Sequence, residues 1–78
     1  MPIEINPEIS GGKPVIKGTR ITVEFILELL ANGWSYEEIL ENYPQLKKEN
    51  ILEAISYAVS VLKEERIYAP PKKYEVHS

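Results

Sequence analysis

Two three-residue links, Asn32-Gly33-Trp34 and Pro44-Gln45-Leu46, do most to limit what this chain can become. Each separates stretches of helical period, and links so short make neighbouring helices cross steeply. The first stretch opens at Thr22, a predicted N-cap. Val23, Ile26, Leu27, Leu30 and Ala31 follow at i, i+3, i+4, i+7 and i+8, the apolar stripe expected to face the core. Phe25 and Leu29 lie off that stripe and predict apolar surface that a lone small chain would leave uncovered. Ser35-Tyr36-Glu37-Glu38 has the spacing of a capping box and opens a two-turn helix that Pro44 ends. A longer helix is expected from about Lys47 to about Arg66. Ile51, Leu52, Ile55, Val59 and Leu62 are its expected core stripe, widened by Ala54, Ala58 and Val61.

Before Thr22 the chain reads as extended pieces and turns. Ile3-Glu4-Ile5, Pro14-Val15-Ile16 and Arg20-Ile21 are short β-prone runs, which must pair with one another or across a dimer. After the third helix, residues 67–78 contain Pro70-Pro71 and no helical period, and predict an extended tail. The expected organisation is one domain over 1–66 and a tail over 67–78. Its fold class is mainly α: a three-helix, helix-turn-helix (winged-helix-like) core with a short N-terminal β element.

Composition removes several function classes. The 78 residues contain no cysteine and one histidine, His77, which excludes disulfides, thiolate zinc and histidine-rich metal sites. No carboxylate pair, nucleophile with base or histidine relay can be assembled, so neither an enzyme nor a cofactor is expected. Apolar runs are too short to span a membrane and no signal-peptide layout is present, so the expected location is the cytoplasm. A chain this small without a covalent or metal staple is expected to associate with a second copy, as a homodimer or higher homo-oligomer.

Charge is segregated. Residues 1–21 are net +1, residues 22–46 carry five glutamates and no cation, and the whole chain is −3. An acidic total argues against a nucleic-acid partner, yet a local basic surface remains open. Two groups of cations are candidates for it. One is the glycine-flanked arm from Gly11 to Ile21, with Lys13, Lys17 and Arg20. The other is the leading turn of the third helix, with Lys47, Lys48 and Asn50. Lysine neutralises phosphate, arginine binds it in a rigid fork, and asparagine can read adenine. In the arm the alternative is a pair of tight turns joining short strands, with Arg20 paired to a glutamate. Trp34 is expected to plug the core from its link.

Asn6-Pro7-Glu8-Ile9, Gly12-Lys13-Pro14-Val15-Ile16-Lys17-Gly18-Thr19-Arg20-Ile21, Gly33-Trp34-Ser35 and Tyr43-Pro44-x-Leu46 together resemble a small prokaryotic family labelled "domain of unknown function 433". The resemblance runs over roughly residues 3–62. It implies homeodomain-like helix-turn-helix proteins, several similar to VapB-type antitoxins of type II toxin–antitoxin pairs. It therefore implies operator DNA binding for autoregulation, and capture of a toxin with a PIN-like nuclease fold. Arg66, Tyr68, Lys72, Lys73 and Tyr74 in the tail are the expected toxin contacts, cations towards the nuclease carboxylates and tyrosines in apolar grooves. The alternative is a helix-turn-helix-derived protein-interaction module without DNA binding. One departure bears on this choice: Lys47 stands where the family commonly has a Thr or Ser cap. Either the third helix starts later with Asn50 as its cap, or Lys47 is kept for an anion.

Overall fold

The computed structural model describes residues 2–64. The expected domain runs to 66, so its last two residues and the tail over 67–78, with Arg66, Tyr68, Lys72, Lys73 and Tyr74, lie outside the described residues. The chain runs β1 (Ile3–Glu4), a 3-10 turn (Ser10–Gly12), β2 (Val15–Ile16), α1 (Val23–Ala31), α2 (Tyr36–Asn42) and α3 (Lys48–Glu64). It is a mainly helical, three-helix domain with a short β element in front, as its sequence predicts.

The strands pair within the chain. β1 and β2 are antiparallel, Ile3 opposite Ile16, and Val15 also bridges Thr22. The connection between them is built from local side-chain chemistry. Asn6 Oδ1 accepts from the Glu8 amide at 2.9 Å, an Asx turn. Gly11 and Gly12 then carry the chain through positive φ.

Each helix start has a local cause. Thr22 Oγ1 accepts from the Phe25 amide at 2.9 Å. Ser35 and Glu38 form both halves of the predicted capping box, at 3.1 and 2.8 Å. α3 begins at Lys48, directly after Lys47. Asn50 is not its cap. From the third helical position Asn50 Oδ1 reaches back to accept from the Lys47 amide at 2.8 Å, the part a glutamate plays in a capping box. The helix thus begins at its predicted place without a Thr or Ser.

The core is Ile3, Ile16, Val23, Ile26, Leu29, Ile39, Leu46, Ile51 and Ala54, with Trp34 packed against it from its link. Two expectations fail here. On α1, Ala31 is exposed and Leu27 half-buried, whereas Leu29 is buried. The reason is that the chain itself covers the Phe25–Leu29 side: Phe25 meets Tyr43, at the end of α2, edge-on with centroids 5.4 Å apart. That side needs no second chain. On α3, only Ile51 and Ala54 are fully buried, while Leu52, Val59 and Leu62 are exposed. α1 and α2 have nine and seven residues against seventeen in α3, too few to cover its apolar width.

Candidate functional site

The arm is a hairpin, and most of its signature is turn chemistry. The Ile16 amide donates to the Ile21 carbonyl at 2.9 Å and the Val23 amide to that of Pro14 at 3.0 Å. Gly18 sits at φ +86°, a conformation that disfavours a side chain. The Thr19 hydroxyl donates to the Ile16 carbonyl at 2.8 Å and accepts from the Ile21 amide at 3.0 Å. Gly18 and Thr19 therefore close the loop, while Lys17 and Arg20 project from it, exposed.

The six predicted DNA-contacting residues fare differently. Lys13 is tied to Glu24 at 3.3 Å, so its charge is partly spent within the chain. Lys48 lies over the Tyr36 ring, 5.7 Å from the centroid, held by a cation–π contact. The Asn50 amide group is engaged at both ends, since its Nδ2 donates to Glu53 at 3.2 Å. It is not available to read a base. Lys17, Arg20 and Lys47 are exposed, and among the described residues no ion pair holds them. The Arg20 side chain thus lacks the glutamate partner considered for it; only its carbonyl is bound, by Ser10 Oγ at 3.3 Å.

Nor does the fold merge the two groups of cations. Pro2 and Ile3, beside the hairpin, share a cleft with Glu53, Ser56, Tyr57 and Ser60, the middle of α3. At 1.5 Å per residue those positions lie roughly 7 to 18 Å beyond Lys48 along the helix. Among the described residues no hydrogen bond or ion pair joins the hairpin loop to the leading turn. Beside that turn, α2 exposes Glu37, Glu38 and Glu41.

The feature missed in the sequence is an open groove of about 570 Å³ between α1 and the C-terminal half of α3. Val23, Leu27, Ala31, Ala58, Val61 and Leu62 give it a carbon lining. Lys13, Glu24 and Glu28 also border it. Helical period places most of its residues in a closed core, because periodicity alone cannot separate a groove wall from a core wall. Among the described residues no cluster of His, Asp or Glu is arranged to hold a metal, and no helix is long and apolar enough to cross a membrane.

A trihelical unit with a leading β-hairpin, glycine-threonine closed, defines a class of small domain rather than an activity. Residues 3–58 match the family model described as "Protein of unknown function (DUF433)", and the chain belongs to that family. It is 43% identical over 53 residues to an uncharacterized protein, y4eO, of Sinorhizobium fredii (strain NBRC 101917 / NGR234), covering 68% of this chain and 24% of y4eO. Its fold resembles the crystal structure of a DUF433 member protein from Anabaena variabilis, with TM-score 0.75 and 33% identity over 81% of this chain and 62% of that one. The chain thus spans about a quarter of y4eO and under two thirds of the Anabaena protein.

Proposed function

We propose that this domain works by binding another protein rather than by catalysis, in the antitoxin-like role that its resemblance implies, with a PIN-like nuclease as partner. The observation supporting this is the apolar groove between α1 and α3. Its occupant is an amphipathic helix of the partner, apolar towards Leu27, Ala31 and Val61 and basic where it meets Glu28. The Glu28 side chain is exposed and, among the described residues, in no ion pair, so a partner cation gains a contact there at little desolvation cost. The tail residues Arg66, Tyr68, Lys72, Lys73 and Tyr74 supply a second contact, towards the nuclease carboxylates. Ala31→Arg tests this cleanly, because Ala31 is exposed and its loss leaves the core intact. Calorimetry against the product of the adjacent reading frame should show affinity about tenfold weaker for A31R, with unchanged helical content; each tenfold is about 1.4 kcal/mol. Equal affinity, or an adjacent frame that encodes no nuclease, overturns the reading.

A second reading, the helix-turn-helix autoregulator, is favoured by the exposed Lys17 and Arg20 on the hairpin loop. Against it stand the engaged Lys13, Lys48 and Asn50 and the glutamates of α2. Salt dependence separates the two. Three phosphate contacts, by Lys17, Arg20 and Lys47, lose about 40-fold in affinity between about 50 and 200 mM salt, against about 10³-fold or more for a full interface. Anisotropy with the protein's own upstream DNA is expected to give only the weak, roughly 10⁻⁴–10⁻⁶ M binding of non-specific contacts. Nanomolar affinity with a steep salt slope establishes the autoregulator instead.

A further inference from the structure

Leu52, Ile55, Val59 and Leu62 fall at i, i+3, i+7 and i+10 on α3. That is the a–d–a–d spacing of a helix-pairing seam. Among the described residues, Ile5, Leu52, Val59 and Leu62 are the exposed large hydrophobics, so three of the four lie on this one line. Ile55 between them is half-buried. From Ala54 to Leu62 the helix carries no charge, although charged residues stand at both its ends. A solvated helix face is not built this way; a face that packs against another helix is.

We propose that the occupant of this face is α3 of a second copy of the chain, running antiparallel. Direction follows from the flanks of the seam. Taking Leu52 as position a, the e positions are Glu49, Ser56 and Lys63. In an antiparallel pair e faces e, so Glu49 of each copy meets the partner's Lys63 at both ends, and Ser56 meets its own equivalent near the two-fold axis. The seam then forms four layers: Leu52 on Leu62, Ile55 on Val59, and the same two by symmetry. A parallel pair sets g against e instead, Ile51 beside Ser56 and Ala58 beside Lys63, and gains no opposite charges. Small Ser56 and Ala58 beside the seam permit the close approach of helices crossing at about 20°. Leu62 is common to this seam and to the groove's rim, and the seam forms in the absence of the groove's partner.

The chain's lack of cysteine gives a direct test. Glu49 and Lys63 are fourteen residues apart on one helix, about 21 Å, so cysteines placed there cannot bridge within a chain. The full chain with both Glu49→Cys and Lys63→Cys should form covalent dimers under mild oxidation, reversed by thiol. In sedimentation at micromolar concentration the unaltered chain should have twice the chain mass. Val59→Glu should weaken association at least tenfold without loss of helical circular dichroism, because Val59 is 45% exposed and outside the core. Monomers at these concentrations, a V59E variant that dimerises unchanged, or no disulfide from the double variant would each overturn the antiparallel seam.

Discussion

Ile26→Ala is expected to remove about 2–5 kcal/mol of stability, and with it most of the folded population near body temperature. Ile26 is fully buried in the middle of α1, and among the described residues only ten apolar side chains are buried. Deleting the outer carbons of one removes their transfer free energy and leaves a cavity that three short helices cannot collapse around. A domain this small has little to spare, since typical stabilities are about 0.05–0.15 kcal/mol per residue. At the usual 4–8 °C per kcal/mol the thermal midpoint should fall by about 8–40 °C, read by calorimetry at fixed concentration. Fixed concentration matters because the seam on α3 links stability to dimerisation. A loss under about 1 kcal/mol would mean that Ile26 is not at the centre of the core.

Helix boundaries were legible in this sequence because each has a local chemical cause. Thr22 and the Ser35–Glu38 pair hold their predicted hydrogen bonds, and neither depends on the rest of the molecule. Lys47 and Asn50 were legible only as a conflict: a lysine in the capping place demanded another acceptor, and Asn50 provides it from within the helix. Burial was harder to read. A stripe tells which residues share a face, but not how far a neighbouring helix extends along it. Periodicity therefore places Leu62 and Ala31 in a core that α1 and α3 leave open as a groove, and leaves out Leu29, whose side Phe25 and Tyr43 close from within. The cations were legible as charges and illegible as contacts. Lys13 and Glu24 are eleven residues apart and meet because the hairpin returns the chain to the start of α1.

Thr19→Val should destabilise the domain by about 1–3 kcal/mol, whereas Arg20→Ala, one residue on, should leave it within about 0.5 kcal/mol. The contrast decides what the densest part of the signature is for. The Thr19 hydroxyl both donates to the Ile16 carbonyl and accepts from the Ile21 amide. Valine keeps the shape and removes both bonds. The Ile16 carbonyl still accepts from the Thr19 amide, at 2.9 Å, but the Ile21 amide loses the hydroxyl that closes the loop. A partly buried amide without an acceptor carries its full desolvation cost. That loss reaches the core, since Ile16 is buried and pairs with the equally buried Ile3 of β1. Arg20 is exposed, and only its carbonyl is bound to the rest of the chain, so removing the side chain touches no described interaction. Thr19→Ser, which keeps the hydroxyl, should recover most of the lost stability. Urea melts of the three variants read the difference directly. Should R20A fall as far as T19V, the guanidinium belongs to the fold, and the hairpin loop then offers a phosphate only Lys17.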